Sequence, residues 1–312
     1  MPNKIPVGAT IAQSYRFAFG NFLNNLGACW MPLSLMFIGF YFLIPPYIQL
    51  LSHFAAMAGK DPAAQAVAMQ ENVVLMGTIM PIMMLAGIVI YVCLISATVG
   101  VTKEALGLRT GSAFFQFPFD KAVWRTLATM LLLIAILMAA EFAAIIIGAI
   151  AALAGTFLLT NVSVALKGGL GFLLGAIFFC AYAYGLIRLV FLLIPTVVAE
   201  GKISVKRSWD LAGGNFWRII VLFLSLIIPV LIVEWVCVLA ILGPELFLPL
   251  SAAATPQEVG DHFRQIFDNT GARLQSLWYV YLPLGFLVYV FILSLGSGMN
   301  AFAYRALTAQ ES

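Results

Sequence analysis

Six continuous apolar runs dominate the chain, near Leu26–Leu51, Val73–Val101, Leu127–Leu159, Gly168–Val198, Ile219–Leu242 and Trp278–Ala303. Each has at least the ~20 residues that an α-helix needs to cross the hydrocarbon of a bilayer. None alternates apolar and polar residues as a membrane-spanning strand would. The pattern predicts an all-α, polytopic membrane helical bundle with six transmembrane helices. The third run has 33 residues, near 50 Å of helix at ~1.5 Å per residue. It must tilt or protrude beyond the hydrocarbon.

A repeat lies within this apolar sequence. Residues 13–22 read QSYRFAFGNF and residues 207–216 read RSWDLAGGNF, an offset of 194. Ser14, Ala18, Gly20, Asn21 and Phe22 recur as Ser208, Ala212, Gly214, Asn215 and Phe216, and Tyr15 becomes Trp209. At the same offset Asp61-Pro62 becomes Thr255-Pro256, both reading as a helix N-cap followed by proline. An offset of 93 relates Trp124-Arg125 to Trp217-Arg218 and Glu141-Phe142 to Glu234-Trp235. The spacing predicts a single membrane domain over 1–312, built as three parallel two-helix repeats near 8–101, 111–198 and 203–305. An interfacial amphipathic segment precedes each pair of spans. The middle unit is degenerate, with Pro118 interrupting its elbow.

Each elbow carries an apolar stripe at helical spacing: Ile11, Tyr15, Ala18 and Phe22, then Val205, Trp209, Ala212 and Phe216. Arg16 and Asn21, then Lys206, Arg207 and Asp210, occupy the other side. Such a helix suits the bilayer interface, with aromatic rings at headgroup level and cations beside lipid phosphate. Two readings fit, an elbow that only turns the chain, or a contact with lipid or a partner through Tyr15, Arg16, Lys206, Arg207, Trp209, Trp217 and Arg218. In the outer loop, Thr255-Pro-Gln-Glu258 is a capping box. Val259, Phe263 and Phe267 follow as an apolar stripe, and Gly271 is the expected stop.

Composition changes the picture by exclusion. Of 312 residues, 63% are hydrophobic and 9% charged, against roughly a quarter charged in a soluble domain, and the mean hydropathy is +1.04. A soluble enzyme, a nucleic-acid binder and a disordered chain are excluded. No signal-peptide core precedes the first span, so insertion by the protein's own helices is expected.

The few charges fix an expected orientation. Lys4, Arg16, Lys103, Arg109, Lys121, Arg125, Lys202, Lys206, Arg207, Arg218 and Arg305 fall on one side. Lys60, Lys167, Arg264 and Arg273 fall on the other, with acids Asp61, Glu71, Glu245, Glu258, Asp261 and Asp268. The positive-inside rule then places both termini in the cytoplasm.

Three ionisable residues fall within spans: Glu141, Arg188 and Glu234. Counted along straight helices, the glutamates lie roughly 21–23 Å and Arg188 about 15 Å from the cytoplasmic edge. An Arg188–Glu141 or Arg188–Glu234 pair is within reach. It could be a static ion pair, or a polar or proton-coupled site for a headgroup or solute. Met76, Met80, Met83 and Met84 form a stripe read as adaptable packing. Gly171 and Gly175 form a GxxxG for close helix contact, within or between protomers. The four cysteines form no CxxC, and both histidines, His53 and His262, lie on the outer side. No metal, cofactor or catalytic set is therefore expected.

The stretch Arg188-Leu-Val-Phe-Leu-Leu-Ile-Pro195, then Glu200, Arg207-Ser-Trp-Asp-Leu211 and Gly214-Asn-Phe-Trp-Arg218, resembles a signature of two related groups. One is the membrane domain of some glycerophosphodiester phosphodiesterases. The other is a set of bacterial six-span inner-membrane proteins, YciC-like, of unassigned activity. The resemblance implies a fold and a bacterial inner-membrane location. It does not imply phosphodiesterase activity, because the soluble catalytic domain of that group has no counterpart up to Ser312. The expected role is a non-enzymatic integral protein that binds or moves a lipid or small solute. The alternative is a scaffold docking another membrane protein, or itself, through the Gly171/Gly175 face; a lipid-acting enzyme stands third.

Overall fold

The computed structural model describes residues 4–55, 62–109, 120–158, 164–243 and 255–309, and these are almost entirely helical. In chain order the helices are α1 (Val7–Gly20), α2 (Phe22–Ala55), α3 (Pro62–Ala105), α4 (Lys121–Leu158), α5 (Val164–Val190), α6 (Leu193–Glu200), α7 (Val205–Leu211), α8 (Phe216–Leu242) and α9 (Pro256–Thr308). Among the described residues six stretches are long and apolar enough to cross a membrane: one each in α2, α3, α4, α8 and α9, and one spanning α5 and α6. The elbow of the middle unit, and Lys60, Asp61 and Glu245, lie outside the described residues.

The fourth apolar run is not one helix. It breaks at Phe191-Leu192, between α5 and α6. Pro195 supplies the cause: it has no amide proton, and its ring clashes with the carbonyl four residues earlier, that of Phe191. The chain restarts as α6, whose end is capped by Gly201 at φ 63°, a left-handed conformation suited to glycine.

The last helix is longer than expected. The capping box forms, with the Thr255 amide donating to Glu258 Oε2 at 2.7 Å and the Glu258 amide to Thr255 Oγ1 at 3.3 Å. Gly271 does not stop the helix, which continues to Thr308 with a kink at Leu277. A glycine ends a helix only if it takes a left-handed turn. Gly271 instead lies against α2, where an added Cβ would meet Ile48 at 3.7 Å. The expected stripe is also displaced: Ile266 and Thr270 are buried, while Phe263 is exposed.

The packed core lies at one end. Phe17, Cys29, Leu33, Val99, Val123, Leu192, Leu211, Ile219, Met299 and Ala303 belong to one buried cluster that joins all three short helices to the long ones. α2, α3 and α9 make the most extensive contacts, and α1 lies along α9. There Gly298 meets the Phe17 ring so closely that an added Cβ would stand 2.9 Å away. α4, α5 and α8 keep broad exposed apolar faces that include Ile145, Phe172 and Trp235.

Candidate functional site

Polar chemistry gathers at the packed end, where the short helices meet the ends of the long ones. Arg188 stands in the last turn of α5. Its Nη1 donates to the Tyr184 hydroxyl and its Nη2 to the Trp209 carbonyl, each at 2.8 Å. The guanidinium lies 4.0 Å from the Trp209 ring centroid and 5.4 Å from that of Tyr184. Phe216 packs on Tyr184 with centroids 4.7 Å apart, and Trp217 follows Phe216 at 5.3 Å. The result is a cation held in an aromatic box. Ring quadrupoles attract the charge without neutralising it.

Arginine has five N–H donors, and two are used here. Nε is buried without a hydrogen-bond partner. No carboxylate among the described residues pairs with Arg188. Gly213 lines the same place, with an added Cβ 3.3 Å from Arg188 Nη2 and 2.9 Å from the Asp210 carbonyl. That glycine lets α7 approach α5 closely enough to stack Trp209 on Arg188.

The expected intramembrane trio is not brought together. Glu141 instead accepts from the Tyr182 hydroxyl at 3.0 Å, on an exposed face between α4 and α5. Glu234 is exposed on α8. A depth counted along one straight helix to Val198 does not hold for Arg188. With the break before Pro195, Arg188 sits two residues from the end of α5, and its side chain turns toward α7.

The remaining candidates divide by surroundings. Tyr15 donates to the Ser225 carbonyl at 3.2 Å, joining α1 to α8. Arg207 Nε donates to Glu200 Oε1 at 3.0 Å, and Tyr304 donates to the same oxygen at 3.2 Å. Glu200 thus ties α7 to α9, a role that the sequence motif contained without revealing. Arg218 donates to the Ile5 carbonyl at 2.8 Å, while the Ile5 amide donates to Asn215 Oδ1 at 3.0 Å. Arg16 and Lys206 are exposed, and Trp217 is 75% exposed beside the box. No sequence pattern marks the structural roles of Asn215 and Tyr184, although Tyr184 is findable as the residue one helical turn before Arg188.

Other charges close the same end. Lys103 pairs with Asp120, Arg109 pairs with Glu104 at 3.5 Å, and Arg305 donates to the Leu106 carbonyl. Asp120 also caps α4 through the Ala122 and Val123 amides. Burial pushes the Asp120 carboxyl up, but the Lys103 ammonium and those amides outweigh it and hold it below its ordinary value.

Several weaker candidates are also placed. Gly168, Gly169, Gly171 and Gly175 face open space, with nothing within 4 Å of an added Cβ. The GxxxG therefore makes no close contact within the described chain. Met80 and Met84 are exposed, and Met76 and Met83 half-buried. All four cysteines are free. Among the described residues no group of three or more His, Cys, Asp and Glu could hold a metal.

Compared with protein-family models, curated proteins and solved structures, the chain matches none of them.

Proposed function

We propose that this is a non-enzymatic multi-pass protein of the bacterial inner membrane, YciC-like in kind. In this reading it holds the phosphate of an anionic lipid, or of a small anionic solute, against Arg188. The observation that carries the reading is a half-buried guanidinium, stacked on Trp209, with no carboxylate among the described residues paired to it. A planar guanidinium is suited to phosphate because its remaining donors are fixed in one plane. Exposed Lys206 and Trp217 extend the box toward a headgroup region.

The orientation belongs to the same proposal. Lys4, Arg16, Lys103, Arg109, Lys121, Arg125, Lys202, Lys206, Arg207, Arg218 and Arg305 share the end that carries Arg188. The positive-inside rule then puts this end and both termini in the cytoplasm. The three-unit repeat belongs to it too. Ser14 and Ser208, 194 residues apart, are both fully buried, although Ser14 donates within α1 to the Thr10 carbonyl and Ser208 donates across to the Leu189 carbonyl of α5.

The test is native mass spectrometry of protein extracted with its surrounding lipid. Wild type should retain an anionic lipid or solute, Arg188→Met should lose it, and Arg188→Lys should hold it less well. Identical retention by wild type and Arg188→Met would overturn the reading and leave Arg188 as a staple between α5 and α7. A scaffold role is the second reading, favoured by the open glycine face of α5. A stoichiometric protein partner, lost on Gly171→Leu, would support it.

A further inference from the structure

At the end of the bundle away from Arg188, α2 and α9 stand apart around a cleft of about 980 Å³. This is near the top of the roughly 300–1,000 Å³ range of small-molecule sites. Both walls carry prolines within the helix, and one is kinked. α2 carries Pro45 and Pro46 within its helix, and α9 departs from helical geometry at Leu277 and carries Pro283. The two helices close again at Gly285, where an added Cβ would stand 3.3 Å from Phe37, while Gly271, 3.7 Å by the same measure from Ile48, lines the cleft toward its polar end. Those glycines are about 21 Å apart along α9 at ~1.5 Å per residue.

The lining changes in order along that length. Phe37, Leu282 and Gly285 make the deep part apolar. Tyr41, Trp278 and Tyr281 follow, then Gln275, and Ser52 and Asp268 stand at the far end beside the apolar Ile48 and Phe267. Arg264 lies 3.8 Å from Asp268, so the polar end carries charge of both signs. Apolar, then amphipathic aromatic, then polar is also the sequence of environments met on leaving a bilayer's hydrocarbon.

We propose that this cleft binds one phospholipid of the surrounding membrane. Its acyl chain runs along Phe37 and Leu282 toward Gly285, and its head lies at Asp268 and Arg264. The occupant follows from the lining. A wholly apolar solute would leave Asp268 and Gln275 without use, and a polar one would bury nothing against the aromatic rings. A zwitterionic head matches the Arg264–Asp268 pair, with phosphate toward the guanidinium and ammonium toward the carboxylate. The site shares no residue with the Arg188 box and stands independently of it.

The experiment uses the full chain in vesicles of phosphatidylethanolamine and phosphatidylglycerol, with a phosphatidylethanolamine carrying a photoreactive group in its tail. Cross-links should concentrate on residues 37–52 and 267–285 and should saturate as the probe's mole fraction rises. Cross-links on the exposed faces of α4 and α5 should keep rising in proportion. Ala272→Trp, which fills the cleft, should abolish the saturable part, and Arg188→Met should leave it unchanged. Cleft labelling that rises only in proportion with probe would overturn the proposal, and needs no variant that might fail to fold. Saturable labelling unaffected by Ala272→Trp in folded protein would do the same.

Discussion

Asn215 shows how much one side chain decides at the packed end. It accepts the amide of Ile5, a residue with no exposed surface, while Arg218 takes up the carbonyl of the same residue. The segment before α1 has no helical partners for those groups, so side chains from the start of α8 must supply them. Replacing Asn215 with Leu leaves the Ile5 amide buried and unpaired, a loss of about 1–3 kcal/mol. The expected result is a lower unfolding temperature in detergent and faster hydrogen exchange at Ile5. An unchanged protein would mean that the clamp contributes nothing. The sequence marked Asn215 as the repeat equivalent of Asn21, but the two differ, for Asn21 is exposed. Arg188 and Trp209 were both legible as special residues. Their partnership was not, because it depends on a turn that hydropathy does not register.

That turn belongs to the element scale, and Pro195 is its cause. Hydropathy places a residue in a span regardless of how the backbone runs. An apolar run therefore reads as one helix even where proline divides it. The same limit explains Gly271: a glycine against a neighbouring helix and a glycine ending one look alike in sequence. Where a signal is carried by specific chemistry the reading is firmer, as with the Thr255 capping box. Pro195→Ala restores the missing amide and removes the clash, which favours one helix from Val164 through Glu200. Arg188 would then be carried away from Trp209, because the chain could no longer double back through α6 into α7. Spin labels at Ala181→Cys and Lys206→Cys should report a longer distance in the Pro195→Ala background. An unchanged distance would show that packing of Leu192 and Leu193, both fully buried, holds the break without proline.

At the scale of the whole molecule, burial and charge are distributed together. The most apolar windows of the six candidate spans are only 33% buried in α2 and fall to 6% in α4. Side-chain packing therefore holds little of the molecule's length, and the exposed apolar faces need a nonpolar surrounding. The packed end also holds the cluster of basic residues, and that end should be the one retained on the cytoplasmic side during insertion. Cysteine labelling decides this, after Cys180, the one exposed native cysteine, is replaced by serine. Lys4→Cys, Lys206→Cys and Asp261→Cys each substitute an exposed residue. A maleimide that cannot cross the membrane should label Asp261→Cys in intact spheroplasts. It should reach Lys4→Cys and Lys206→Cys only after the membrane is opened. The reverse pattern would place the Arg188 box outside, where the anionic cytoplasmic leaflet could not supply its ligand. Labelling of all three positions in intact spheroplasts would place both ends outside together. Two positions on one side need an even number of crossings between them, which would contradict the single crossing of α8 between Lys206 and Asp261. The same three variants thus test the count of spans and the side on which Arg188 works.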